Sequence, residues 1–299
     1  MRSKLVTSIA LVGTLGLGVG IGQVAGAANA NRNKRHKPTV AASASAKAQS
    51  AQRSNERDGR DRSEGRLKEI QVKKIVNLSH VIDTNIALWP GDPAPTFTNL
   101  ANIDPDGYYL RSFSIGEHSS THMNSGNSFF AGGTSIDSYT ADQLVRKAVV
   151  IDIRAKAAAN RDYQLTKQDV EAWESANGRI PKDSVVILFT GWQDKWSDQA
   201  AFIPEEEDGL HFPGFAGATT DWLLDKRQIA GVGTDTHGVD PGQDVNYLTN
   251  TAVLMEKGIV LECLTNLDKL KPTGNTIVMG ALTLKDGSGS PLTVLGFTN

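Results

Sequence analysis

Two histidines, His118 and His122, stand four apart in GEHSSTHMNSGNSFF, a run of small polar residues over 116–130. Imidazole is the commonest metal ligand. Two such groups on an irregular segment can converge on one ion, with Asn124 adding a carbonyl oxygen; the plainer reading is two loop histidines bonded to backbone. A second group lies in GTDTHGVDPG, residues 233–242, after the apolar run IAGV. Here His237 sits between Asp235 and Asp240. A carboxylate fixes the tautomer of the imidazole it binds, which suits proton transfer or ligation. Alternatively both aspartates cap turns, as Asp does ahead of Pro241-Gly242. The third is Glu262, which ends the apolar run GIVLE. A buried carboxylate is costly unless it is paired or bound to metal, so Glu262 has the strongest physical case for a role. The alternative is a buried ion pair with a Lys or Arg. Trp89 in LWPGDP and Trp192 in FTGWQDKW each follow an apolar run and precede polar turn residues. They are expected either to wall a pocket for a flat substrate or to pack at its rim.

These residues need a frame. Short β-rich apolar runs recur: AVVIDI (148–153), SVVILF (184–189), IAGVG (229–233), GIVLE (258–262), TIVMGALTL (276–284) and LTVLGF (292–297). Helix-like segments alternate with them. TADQLVRKA opens on Thr140 with Gln143 three residues on, a capping box, and LTKQDVEAWESAN repeats the device with Thr166 and Asp169. TTDWLLDKRQ and NYLTNTAVLMEK are the other two. The alternation predicts an α/β domain with a mixed, largely parallel buried sheet and helices packed on it. WPGDPAP and DPDG, before residue 116, predict added antiparallel strands. Strand-end loops are where such folds build sites.

The N-terminal quarter has a different composition. Arg2 and Lys4 precede an uncharged apolar stretch and the A-x-A pattern of AGAANA, so residues 1–30 are expected to be a secretory signal peptide. An uncleaved membrane anchor is the alternative. Residues 31–72 are basic, small or of mixed charge, with too little apolar surface to offset the entropy of ordering them. They are expected to be a disordered linker before a domain at 73–299. Residues 1–75 carry 15 Lys+Arg and 5 Asp+Glu, a net of +10; the remaining 224 carry 16 and 28, a net of −12. An acidic domain argues against nucleic-acid binding. The leader, once processed, leaves no segment expected to remain in a membrane. Cys263 is the only cysteine, so no intrachain disulfide forms and stability must come from the core.

The ordered series IVNLSH, WPGDP, the 118–129 cluster, AVVIDI, FTGW, HFPGF, GVGTDTHGVDP, LECLTNLDKL and NTIVMGALTLKDGSGSP resembles the cyclase family of metal-dependent hydrolases, which includes kynurenine formamidase and isatin hydrolase. The resemblance runs from about residue 75 to the C-terminus. It implies a swivelling β/β/α domain, a zinc or manganese site and a homodimer or homotetramer. The family signature is H-x-G-T-H-x-D-x-P-x-H-F, and this chain reads HSSTHMNSGNSF. His118, Thr121, His122 and Phe129 match. Ser120 stands for Gly, Asn124 for the metal-bridging Asp, Gly126 for Pro, and Ser128 for the last His, a ligand or proton carrier. Asn250 and Thr251 stand where the family has a His about a dozen residues before its ligand Glu, here Glu262.

The resemblance thus implies one divalent ion, zinc or manganese, on His118, His122 and Asn124, with Glu262 nearby, rather than two. Restoring Asp at position 124 is expected to tighten it. Glu262 and His237 are the candidate catalytic groups, His237 taking over from Ser128. Trp89, Trp192 and Ser128 are the candidate substrate contacts. The expected activity is hydrolysis of an aryl or cyclic amide by an exported enzyme. The alternatives are a cyclase or lyase using the same pocket, and a non-catalytic binding protein that has lost its metal.

Overall fold

The computed structural model describes residues 72–299. The expected leader, and all but the last residue of the expected linker, lie outside the described residues. Eight strands form the main sheet: β1 (Lys74–Asn77), β2 (His122–Asn124), β3 (Val145–Asp152), β4 (Ser184–Phe189), β5 (Gly231–Thr234), β6 (Ile259–Glu262), β7 (Asn275–Ala281) and β8 (Gly289–Thr298). Their order is β1-β8-β7-β3-β4-β5-β6-β2, and β2 also pairs with β8. Seven strands therefore close into a mixed barrel, with β1 laid along β8. Three helices join the central strands: α1 (Lys167–Asn177), α2 (Gly217–Arg227) and α3 (Leu248–Met255).

The fold is α/β as expected, but the sheet is not largely parallel. Only β3–β4, β4–β5 and β5–β6 are parallel. The pairings of β1, β2, β7 and β8 are all antiparallel. Parallel neighbours need a crossover long enough to return the chain, and only α1, α2 and α3 supply one. The hairpin expected before residue 116 is present, Thr96–Ala101 against Leu110–Ser114.

The two expected capping boxes diverge. At Thr166 the box forms and α1 follows. At Thr140 the backbone N–H donates to Gln143 Oε1 at 2.9 Å, yet TADQLVRKA makes only a turn before β3 begins at Val145. There β4 and β7 take the backbone of residues 145–152, and long-range pairing outweighs a local helix signal.

Side chains alternate across the barrel wall with period two. Ala148, Val150, Val185, Ile187, Leu261 and Met123 point into the barrel core. Val149, Ile151, Val186, Leu188 and Val260 join the core between barrel and helices, against Val170, Leu223 and Val253.

Candidate active site

That alternation places the site. β2 pairs antiparallel with β6, His122 opposite Glu262 and Asn124 opposite Val260. Met123 points inward, so its neighbours His122 and Asn124 point outward with Glu262, toward α3 and the 235–247 loop. Directly opposed residues in an antiparallel pair have Cβ atoms about 5 Å apart, and His122 Nε2 lies 3.1 Å from Glu262 Oε2.

Both groups are locked. His122 Nδ1 lies 2.8 Å from the Ser120 carbonyl oxygen, so that nitrogen donates. Ser120 has φ +57°, the left-handed conformation that favours glycine, at the position where the family signature carries Gly. Glu262 Oε1 accepts from Val239 N–H at 3.1 Å and Asn250 Nδ2 at 3.2 Å. Burial alone would raise the Glu262 carboxyl, but the His122 hydrogen bond and the nearby imidazoles hold it down at about 2.

His118 stands at right angles to His122, ring centres 5.4 Å apart. Its Nδ1 lies 2.8 Å from Asn124 Oδ1, and its Nε2 lies 2.9 Å from Ser288 Oγ and 3.5 Å from Ser128 Oγ. Its ring packs against Gly289, where a Cβ would come within 2.7 Å of Cε1. Burial, then the neighbouring His122, lowers its pKa. His237 lies 5.4 Å from the His122 ring and 5.5 Å from the Trp89 ring. Burial holds His237 at about 4, a neutral ring near pH 7, and its Nε2 has no hydrogen-bond partner among the described residues.

These groups floor a cavity of about 640 Å³, with Trp89, Phe129, Phe212 and Tyr247 among its apolar walls. Of the residues singled out from sequence, Trp89, His118, His122, Asn124, Ser128, His237 and Glu262 all line it. Trp192 does not, which corrects its assignment to the substrate. It is buried beside Phe202 and Phe212, with Nε1 donating to the Phe202 carbonyl at 2.8 Å. The cause is Asp235, which accepts from Thr190 N–H, Thr190 Oγ1 and Gln193 N–H and folds the turn carrying Trp192 inward. Asp235 is thus a turn cap. Asp240 does both jobs: it lines the cavity and accepts from the backbone N–H groups of Thr249 and Asn250 at the start of α3. Burial raises its carboxyl to about 6.

Sequence reasoning missed two features. Asn250 was noted only as the place of an absent His, yet it links Asp240, Glu262 and Asn124. Glu206, Asp208 and His211 bring ligand atoms within 4.8 Å of one another at the cavity edge, a donor set able to take a divalent cation. Arg161 already pairs with Glu206 there, and His211 with Asp162 and Asp208. The acidic run ahead of His211 was the available signal.

The family model described as "Putative cyclase" matches residues 76–241. The chain is 30% identical over 213 residues to isatin hydrolase of Roseibium aggregatum, covering 68% of this chain and 81% of that protein. It is 27% identical over 221 residues to kynurenine formamidase of Salinibacter ruber, covering 73% and 94%. The structure of isatin hydrolase A from Ralstonia solanacearum superposes with a TM-score of 0.72 at 31% identity, over 76% of this chain and 92% of that one.

Proposed function

The chain belongs to the cyclase family, and on that premise we propose that it is an exported metal-dependent hydrolase that opens an aryl or cyclic amide. One observation carries the reading: His118, His122, His237 and Glu262 meet on the floor of a cavity with aromatic walls. His122 Nε2 and Glu262 Oε2, 3.1 Å apart, are the two donors that could share one divalent ion. His122 donates through Nδ1, so in the neutral ring the Nε2 lone pair faces Glu262 Oε2. Two acceptors opposed at 3.1 Å call for a cation or a proton between them. Zinc or manganese would be held by His122 and Glu262, and His118 would join them only by turning its ring away from Asn124 and Ser288. Asn124 is a weaker ligand than expected, because its oxygen already faces His118 Nδ1 and its NH₂ donates to Asn250. Once bound, such an ion polarises a carbonyl and lowers the pKa of water.

The chain's own residues do the rest. Trp89, Phe129 and Tyr247 hold a flat apolar substrate and exclude water. Glu262 moves or holds the proton released by the attacking water. Neutral His237, with Nε2 unpartnered, accepts a hydrogen bond or proton from the reacting group, the role left open by Ser128. The reading includes export, motivated by the leader-like residues 1–30. It also includes assembly as a homodimer or homotetramer, which the exposed Ile103, Tyr108 and Phe113 around the hairpin support.

A second reading, a binding protein that has lost its metal, draws on the uncharged Asn124 and Asn250. Turnover decides between them. The full chain should hydrolyse isatin, N-formylkynurenine or a cyclic imide with added zinc or manganese, and lose that activity on chelation. Absence of turnover across this panel, with ligand binding retained, would establish the second reading.

A further inference from the structure

The charged side chains around the cavity are of one sign. Asp92, Asp208, Asp240, Asp244 and Glu262 line it, and no Lys or Arg does. Asp240 and Glu262 are buried at its floor. Asp92 and Asp244 are half-buried and Asp208 is exposed, which places these three toward its mouth. Arg161, the cation at the cavity edge, is already paired with Glu206 and Asp162. Two of the mouth carboxylates have structural partners. Asp208 Oδ1 lies 3.0 Å from His211 Nε2, and Asp244 accepts from the backbone N–H groups of Asn246 and Leu248. Asp92 differs. Its backbone N–H donates to the Trp89 carbonyl and closes the turn between them, while its side chain makes no hydrogen bond or ion pair among the described residues.

A cleft lined by one sign of charge, with low-dielectric walls, focuses its field on whatever enters. The walls here act in the same direction. The ring faces of Trp89, Phe129, Phe212 and Tyr247 carry partial negative charge, and an ammonium over such a face is attracted, most strongly by Trp. The wall also includes His237, 3% exposed, whose Nε2 has no partner among the described residues. A buried polar atom of this kind calls for an explanation, and a polar group of a bound ligand supplies one. We propose that the cavity selects substrates carrying a protonated amine: the flat amide-bearing body lies between the aromatic walls, and the ammonium reaches Asp92 beside Trp89 at the mouth. The proposal rests on the reading of this cavity as the substrate site. It narrows the substrate from aryl or cyclic amides in general to cationic ones.

The selection works in both directions. An anionic amide would bring its charge among carboxylates with no Lys or Arg on the cavity wall to receive it, and an unpaired charge taken out of water is costly. A divalent ion on His122 and Glu262 would offset charge at the floor and leave Asp92, Asp208 and Asp244 as they are. The preference at the mouth therefore holds with or without the ion.

Isothermal titration of the full chain near pH 7 reads the selection without turnover. The probes share one shape and differ in charge: 2-phenylethylamine, 2-phenylethanol and 3-phenylpropanoate. A chelator is present, so that the carboxylate gains nothing from a bound ion. The protonated amine should bind about tenfold more tightly than the alcohol, the scale of a cation–π contact together with an ion pair at the mouth. The carboxylate should bind more weakly than the alcohol. High salt should narrow the spread, because the mouth is open to screening. Asp92→Asn removes the charge and keeps the shape. It should leave Tm at the wild-type value and lower the amine-to-alcohol ratio about two- to fivefold, the range of an exposed ion pair. Equal affinities for amine and alcohol, tighter binding of the carboxylate, or no binding of any probe at millimolar concentration would each overturn the proposal. An unchanged ratio in Asp92→Asn would overturn the placement of the ammonium at Asp92. A chain that hydrolyses no amide yet keeps the amine preference would end the hydrolase reading and leave the charge selection standing.

Discussion

Replacing Glu262 separates the carboxyl group's structural role from its chemical one. Glu262→Ala removes the acceptor for Val239 N–H and for the Asn250 amide. Each stranded buried donor costs about 1–3 kcal/mol, so the alanine variant should lose about 2–6 kcal/mol. Glu262→Gln behaves differently. Its oxygen can take the place of Oε1 and keep both donors satisfied. Its NH₂ then replaces Oε2, 3.1 Å from His122 Nε2, which is free to accept because His122 donates through Nδ1 to Ser120. The glutamine variant gives up the charge on Glu262 but keeps both donors satisfied, so it should be less destabilised than the alanine variant. Its charge is gone, however, and losing general acid–base help costs about 10²–10⁴ in rate. Urea unfolding followed by tryptophan fluorescence gives the first quantity, and initial rates on the best amide substrate give the second. A glutamine variant as unstable as the alanine one would show that His122 is a cation needing Glu262's charge, and the hydrogen-bond argument would fail. A glutamine variant with full activity would leave Glu262 no part in the chemistry.

Other outcomes follow from the same geometry. Ser120→Gly relieves a left-handed backbone and should stabilise the domain by about 1 kcal/mol, raising Tm by about 2–4 °C. Gly289→Ala places a methyl group 2.7 Å from His118 Cε1 and 2.8 Å from the Met123 carbonyl oxygen in the β2–β8 pairing, and should lower both kcat and Tm. His118→Ala and His122→Ala should each abolish most bound zinc or manganese, measured by elemental analysis; undiminished metal in the double variant would move the ion elsewhere, the 206–211 cluster being the next place to look. His237 has a folded pKa of about 4, below its ordinary value of about 6.5. The unfolded chain then takes up the proton first, so the contribution is intact above pH 6.5 and lost as pH falls through 4, at most about 3 kcal/mol. His237→Phe should flatten that acid slope, and an unchanged slope would contradict a neutral buried ring.

Local physics made several features legible. SVVILF and GIVLE are apolar enough to require burial, and both became strands of the barrel. A carboxylate ending such a run must find compensation wherever the chain goes, so Glu262 was identifiable without a fold. Thr166 and Asp169 satisfy each other three residues apart, which needs no distant partner. The family signature around His118 and His122 likewise carries its ligand types in one short segment.

Other features depended on pairings between distant segments. Thr140 and Gln143 offer the same local device as Thr166 and Asp169, yet β4 and β7 claim the backbone that follows. Trp192 reads like Trp89, but Asp235, forty-three residues away, draws its turn into the core. Register decides the site most sharply. Successive residues on a strand face opposite ways, so a one-residue slip of β2 on β6 would send His122 and Asn124 into the barrel and Met123 out. The sequence places His122 and Glu262 140 residues apart and carries no local signal that they meet. Asn250 links Glu262 to Asn124 only because α3 packs over β6, and an amide's role is set by which donors and acceptors the folded chain brings to it.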